Sequence, residues 1–150
     1  MTSITRIYHF AASHRLHAPE LSDAENHRVY GKCNNPFGHG HDYVLEVTAK
    51  GEVDPITGRI LNIAALDDLV SEAVLSRFAN RNLNLDIPEF ATLVPTTENI
   101  ALTIANVLDQ HWSTYLNGSA ARLSRVHIQE TGRNSFEVLV PTHSLENVHA

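Results

Sequence analysis

The fold is decided by the stretch His41-Asp42-Tyr43-Val44-Leu45-Glu46-Val47-Thr48-Ala49-Lys50-Gly51-Glu52-Val53. Apolar and polar residues alternate along it, as they do in a β-strand that is buried on one side only. The odd-numbered residues from 43 to 49 form an apolar face, whereas Glu46, Thr48 and Lys50 lie opposite. The pattern therefore predicts a sheet that packs one face against another layer.

The neighbouring segments supply further strands of this sheet. The first strand is predicted at residues 4–13, where Tyr8, Phe10 and Ala12 share one face. A turn at Asp54–Gly58 follows the second strand, and residues 59–61 are predicted to return as a hairpin strand. Near the end of the chain, residues 123–130 and 135–140 are predicted to form an antiparallel hairpin.

Two helices lie between these strands in sequence. The first is capped by Asn62 and continues with apolar residues at helical spacing as far as Phe78. The second begins at Thr96 or Thr97, with Glu98 in its first turn, where the helix dipole favours an anion. The intervening stretches, residues 17–36 and 80–95, are predicted to be long loops, which are often functional.

This order of elements predicts an α+β fold, with an antiparallel sheet and two helices on one of its faces. A chain of 150 residues favours a single domain, and we assign residues 1–150 to it. An open sheet in so short a chain leaves edges that need covering, so oligomerisation is expected.

Composition excludes several classes of protein. The net charge of −6 argues against nonspecific nucleic-acid binding. No apolar run is long enough for a membrane helix, and the first residues lack the pattern of a signal peptide. Cys33 is the only cysteine, which excludes an internal disulfide framework. We therefore expect a soluble cytoplasmic protein.

The segment Cys33-Asn34-Asn35-Pro36-Phe37-Gly38-His39-Gly40-His41-Asp42-Tyr43 is the densest chemical signal. Side chains two residues apart in a strand share a face, so His39 and His41 would present two imidazoles together. His14, at the end of the first strand, supplies a third if the two strands pair. Catalytic zinc sites commonly use three protein ligands and leave one position open.

Two further residues keep alternative roles at this point. Cys33 is structural, a fourth ligand or a catalytic base. Glu130 shares strand parity with Val126 and Ile128, and a carboxylate on their apolar face needs a partner. That partner is either an arginine or a ligand with adjacent N–H donors, such as the guanidine-like edge of a pterin.

Six motifs occur in order along the chain: Phe10–Leu16, Cys33–Tyr43, Gly51–Gly58, Asn82–Asp86, Pro95–Ala101 and Gln129–Thr131. As a set they resemble the 6-pyruvoyltetrahydropterin synthase family, including its relative 6-carboxytetrahydropterin synthase. The resemblance covers about residues 4 to 140, and the form of the histidine segment is closer to the pyruvoyl branch.

The resemblance implies the tunnelling fold, in which the sheets of three subunits close a barrel and two trimers stack into a hexamer. It implies a lyase that converts 7,8-dihydroneopterin triphosphate to 6-pyruvoyltetrahydropterin and releases triphosphate. It also implies roles for single residues. His14, His39 and His41 would bind Zn²⁺, Cys33 would be the general base, and Glu130 would anchor the pterin ring. The remaining three residues, Thr96, Thr97 and Glu98, would line the pterin pocket, often across a subunit interface.

The chain departs from the family pattern at one pair of positions. The family usually carries Asp-His where this chain has Ala79 and Asn80, and those two residues work with the cysteine in proton transfer. Neither replacement can titrate. Three alternatives therefore stay open: the pyruvoyl-type lyase, a carboxytetrahydropterin-type or other pterin side-chain lyase, and a zinc- and pterin-binding homologue without synthase activity.

Overall fold

The structure is a computed structural model, and it describes residues 1–141; residues 142–150 of the predicted domain lie outside the described range. A sheet of five strands in the order β3-β1-β2-β4-β5 forms its central layer. The strands are β1 Thr2–His14, β2 His39–Gly51, β3 Arg81–Asn82, β4 Arg122–Gln129 and β5 Ser135–Leu139.

The two long strands, β1 and β2, pair antiparallel over their whole length. The register joins Thr2 to Gly51 at one end and His14 to His39 at the other. The hairpin predicted near the end of the chain is also present, as β4 pairs antiparallel with β5. The sheet is nevertheless mixed, because the two residues of β3 pair parallel with β1. So short a strand carries no periodicity that would reveal it in the sequence.

The helices are more numerous than the two predicted. The predicted pair are confirmed: one starts after Asn62, whose side chain accepts from the amide of Ala65, and the other after Thr96, whose side chain accepts from the amide of Asn99. The helices are α1 Asp23–Tyr30, α2 Ile63–Val70, which continues through a π turn at Ser71–Leu75 into α3 Ser76–Phe78, α4 Leu83–Asp86 and α5 Thr97–Tyr115.

Three predictions about the connections are wrong. Residues 17–36 hold α1 and a 3₁₀ turn at Gly31–Asn34 instead of an open loop. Residues 80–95 likewise hold β3, α4 and a 3₁₀ turn. Residues 59–61 form no strand, because the amide of Asp54 donates to the carbonyl of Arg59 and closes a compact turn.

One face of the sheet buries the core. Phe10, Tyr43 and Leu45 from the sheet share one hydrophobic cluster with residues of α2 and α5, such as Leu66 and Ile104. The other face is open in the single chain, where Ile7 is 59% exposed. Among the described residues, no helix combines the length and apolarity needed to cross a membrane.

Buried Asn26 explains why residues 17–36 are ordered. Its side-chain oxygen accepts from the amide of Ala18 at 2.7 Å, and its nitrogen donates to the carbonyls of Ala18, Leu21 and Ser22. The side chain is fully buried. A polar side chain therefore takes the place of an apolar face in holding α1, which has no buried apolar residue.

We predict that Asn26→Asp destabilises the protein by about 1–3 kcal/mol, because a carboxylate oxygen would replace a donor that faces carbonyl oxygens. Urea unfolding measures the change. Asn117→Asp is the matched control, because Asn117 is exposed and the same substitution there should be nearly neutral. Equal stabilities of the two variants would contradict the role of Asn26.

Candidate metal centre

The pairing of β1 with β2 brings three histidines together. His14 lies directly opposite His39, and His41 follows on the same face of the sheet. Their ring centroids are 4.9 Å apart for His14 and His39, 5.1 Å for His14 and His41, and 4.6 Å for His39 and His41. The predicted convergence of these side chains is thus present in the structure.

The protonation of His14 is fixed by the backbone. Its Nδ1 lies 2.9 Å from the carbonyl oxygen of Pro95, and because that oxygen can only accept, Nδ1 carries the proton. Nε2 is left with its lone pair free, and it is buried without a hydrogen-bond partner among residues 1–141. Histidines that bind metals usually donate the N–H of their other ring nitrogen to a carbonyl or carboxylate, which orients the ring.

Burial favours the neutral form of two of these rings, those of His14 and His39. Burial lowers the pKa of His14 and of His39, and the neighbouring histidines act in the same direction. Neutral imidazole is the form that binds a metal. The Nε2 of His41 is also buried, and it lies 2.9 Å from Glu130 Oε1 without the geometry of a hydrogen bond.

Glu130 joins this cluster, just beyond the end of β4. Its Oε1 is 3.7 Å from the Nε2 of His14, and its side chain is only 11% exposed. The partners of this carboxylate among the described residues are imidazoles and not an arginine. One ligand atom from each of His14, His39, His41 and Glu130 lies within 4.8 Å of the others, so the four residues could hold a metal ion.

Gly38 allows the strands to meet at this point. Its φ is +70°, and a Cβ on it would lie 2.8 Å from the carbonyl oxygen of His14. Any other residue would therefore push His14 away or strain the backbone. Gly40, the other glycine beside the histidines, is under no such constraint, since its Cβ would be 3.6 Å from the carbonyl oxygen of Ala12.

Cys33 opens into a cavity of about 900 Å³ that is also lined by His39 and His41. The 3₁₀ turn that carries it is tied to the end of β1, where the amide of Leu16 donates to the carbonyl of Cys33 at 2.8 Å. Burial raises the pKa of the Cys33 thiol, and the charge of Glu130 adds to the effect. The thiol and two of the histidines thus face one shared space.

The predicted pocket residues of α5 lie elsewhere. Thr96 caps the helix and Glu98 is exposed, whereas Thr97 is buried and its hydroxyl has no hydrogen-bond partner in the part of the chain that the structure describes. None of the three lines the Cys33 cavity of this chain. Their segment touches the centre through the carbonyl of Pro95, a contact that the sequence analysis missed and that no residue pattern indicates.

The positions of the absent Asp-His pair lie beside the centre. Ala79 packs against the hydrophobic core, and Asn80 adopts a φ of +60° while its amide donates to the carbonyl of Ala11 at 2.6 Å. Asn80 lines a smaller cavity together with His41 and Asp42. Its left-handed conformation is one that asparagine tolerates better than most residues.

Tyr43 is a second residue that the sequence analysis did not assign to the site. Its ring centroid is 5.6 Å from that of His41, and its fully buried hydroxyl has no partner among the described residues. Burial raises the pKa of Tyr43, with Glu130 and Cys33 adding to the rise, so the hydroxyl keeps its proton. The signal was present, since Tyr43 shares strand parity with His39 and His41.

Known proteins resemble this chain over most of its length. The family model described as 6-pyruvoyl tetrahydropterin synthase matches residues 3–140. The 6-pyruvoyl tetrahydrobiopterin synthase of Poecilia reticulata is 44% identical over 132 residues, which cover 87% of this chain and 85% of the relative. The protein of the same name from Homo sapiens is 48% identical over 101 residues, covering 67% of this chain and 70% of the relative.

Solved structures agree with this match. The 6-pyruvoyl tetrahydropterin synthase of Caenorhabditis elegans superposes with a TM-score of 0.84 at 38% identity, covering 93% of this chain and 96% of that one. The corresponding protein of Plasmodium falciparum, at 13% identity and a TM-score of 0.60, supports the fold alone. These comparisons confirm both the tunnelling fold of the subunit and the resemblance read from the motifs: the chain belongs to the 6-pyruvoyl tetrahydropterin synthase family.

Proposed function

We propose that the chain is a zinc-dependent lyase that converts 7,8-dihydroneopterin triphosphate to 6-pyruvoyltetrahydropterin and releases triphosphate. One observation supports this proposal above the others: three imidazoles converge, and two of them line a cavity that also holds the Cys33 thiol. The names of the relatives, which are 6-pyruvoyl tetrahydrobiopterin synthases, support the same reaction.

His14, His39 and His41 are the proposed zinc ligands. The buried Nε2 atoms of His14 and His41 make no hydrogen bond within the described part of the chain, and such nitrogens could bind a Zn²⁺ ion. Three histidines with an open fourth position are typical of catalytic zinc. A bound Zn²⁺ would polarise the side-chain oxygens of the substrate and so acidify the adjacent C–H group.

Glu130 is the proposed anchor of the pterin ring. It is a nearly buried carboxylate without an arginine partner, and the guanidine-like edge of a pterin offers two parallel N–H donors. The geometry equally permits Glu130 to be a fourth metal ligand. The variant Glu130→Gln distinguishes the two roles, because loss of a pterin anchor lowers pterin affinity and loss of a metal ligand lowers zinc content.

Cys33 is the proposed general base. Its thiol is the one cysteine sulfur of the chain and lines the cavity with two of the proposed ligands, His39 and His41, where it can take a proton from the substrate side chain. Thr96, Thr97 and Glu98 are proposed to line the pterin pocket of a neighbouring subunit, in keeping with their absence from the cavity of their own chain.

A homo-oligomer, a trimer or a hexamer, is part of the proposal, as is a cytoplasmic location. The exposed Ile7 on the uncovered sheet face supports association, because closing the sheets of three subunits into a barrel would cover that face.

A second candidate function follows from Ala79 and Asn80. Neither side chain can carry a proton, and a missing general acid or base typically costs about 10²–10⁴-fold in rate. A chain that keeps the metal centre and Glu130 but lacks this relay would bind zinc and pterin with little or no synthase activity. A lyase with a different product, such as the carboxytetrahydropterin type, is the remaining alternative.

We predict that the purified protein contains about one zinc ion per chain and that the triple alanine variant of His14, His39 and His41 contains none. Metal analysis measures the zinc content. Circular dichroism should show that His39→Ala stays folded, because other residues form the hydrophobic core. His9→Ala is the control, since His9 lies on the exposed side of β1. Full occupancy in the triple variant would contradict the assignment.

We predict that Glu130→Gln weakens neopterin binding by about 2–5 kcal/mol, because a buried charged partner of two N–H donors is lost. Fluorescence titration of neopterin measures the change, and metal analysis of the same variant should find zinc retained. Loss of zinc with unchanged pterin affinity would assign Glu130 as a metal ligand instead. Glu52→Gln, at an exposed position just beyond the end of β2 that lies away from His39, controls for the change of charge.

We predict that Cys33→Ala leaves neopterin affinity nearly unchanged and removes the turnover that the protein shows, because a base acts on the proton and not on the ring. Triphosphate release from dihydroneopterin triphosphate measures turnover.

If the parent protein is slow, the double variant Ala79→Asp, Asn80→His should be faster. Histidine is among the residues that tolerate the left-handed backbone at position 80. An unchanged rate in the double variant would show that the relay does not limit the reaction.

A further inference from the structure

Two cationic side chains, those of Arg15 and Lys32, lie on the wall of the Cys33 cavity. The chain as a whole carries a net charge of −6, so this wall differs in sign from the rest of the molecule. None of the functions proposed above uses either residue.

The structure holds the segments of these cations side by side. Leu16 follows Arg15 in the chain, and Cys33 follows Lys32. The amide of Leu16 donates a hydrogen bond to the carbonyl of Cys33. Asn34 strengthens this connection, since its side chain donates to the carbonyl of Leu16 at 2.7 Å and its own carbonyl accepts from Arg15 Nε at 3.2 Å. The guanidinium is thus oriented through one nitrogen only.

The backbone of Arg15 is also clamped. The side chain of Asn84 accepts from the amide of Arg15 at 2.7 Å and donates to its carbonyl at 2.9 Å. Gly31, with a φ of +55°, begins the turn that presents Lys32. The backbone that carries each cation is therefore fixed before any ligand arrives, which lowers the entropic cost of binding.

Neither cation is neutralised within the described part of the chain. The ion pairs there include neither Arg15 nor Lys32, although Asp23 lines the same cavity. The two terminal nitrogens of Arg15 and the ammonium of Lys32 remain as free donors of positive charge. The cavity wall thus carries two cations and one carboxylate, and that carboxylate pairs with neither cation, so the wall favours an anionic ligand.

We propose that Arg15 and Lys32 bind the triphosphate group of the substrate. This inference rests on the proposed function, because Cys33 and the histidines must reach the short side chain to which the triphosphate is attached. The phosphates must therefore lie in the cavity that these cations line. The fork of a guanidinium matches two phosphate oxygens, and an ammonium adds a point charge.

The experiment compares neopterin with neopterin triphosphate on the zinc-loaded protein. Fluorescence titrations give the ratio of the two dissociation constants, which isolates the contribution of the phosphates. We expect the parent protein to prefer the triphosphate, and Arg15→Gln, Lys32→Gln to reduce this preference by about tenfold or more while neopterin affinity stays the same. The preference should also fall as salt is raised.

The control is Lys50→Gln, Arg59→Gln, which removes two exposed cations away from the cavity and changes the net charge equally. Lys32→Gln alone serves as a second test, because its side chain makes no bond that the fold requires. An unchanged preference in both Lys32 variants, or an equal loss in the control, would overturn the inference and leave the pterin assignment intact. Failure of the parent protein to bind either pterin would overturn the proposed function and this inference with it.

Discussion

The site depends on the register of β1 against β2. The thirteen paired positions end with His14 opposite His39, and this places His41 on the same face. Because side chains alternate along a strand, a slip of one residue would turn His14 to the open face of the sheet and separate the three rings. The apolar pattern specifies the register, since Phe10 and Tyr43 must both face the core and stack there with centroids 5.1 Å apart. The packing of the core thereby sets the geometry of the metal centre.

The sequence predicts the features that depend on local periodicity or on capping. Strand alternation located β1, β2, β4 and β5, and side-chain caps located the starts of α2 and α5. The helix α1 was missed because a buried asparagine, and not an apolar stripe, fixes it. The strand β3 was missed because two residues carry no pattern, and it makes the predicted antiparallel sheet a mixed one.

The candidate site shows the same division. The spacing of His39 and His41 was sufficient to predict their convergence, because strands impose a simple geometry on their side chains. The parity of Glu130 predicted only that its carboxylate lies on the apolar face and needs a partner. The contact between His14 and Pro95 joins residues that are 81 positions apart and uses a backbone atom, so no residue type in the sequence predicts it. The positions of Arg15 and Lys32 depend equally on main-chain bonds between distant segments. The placement of Thr96 to Glu98 in a pocket requires more than one subunit and stays a prediction.

The hydrogen bond from His14 to the carbonyl of Pro95 has an evolutionary consequence. A carboxylate in the same role would be lost by a single substitution, whereas a carbonyl of the main chain is present whatever side chain follows it. The proton on Nδ1 is therefore protected against point mutation at position 95, provided that the path of the backbone into α5 is kept. The orientation of His14 is inherited with the fold and not with a particular residue. Sequences of this family can therefore diverge at this position without changing which nitrogen of His14 faces the other histidines.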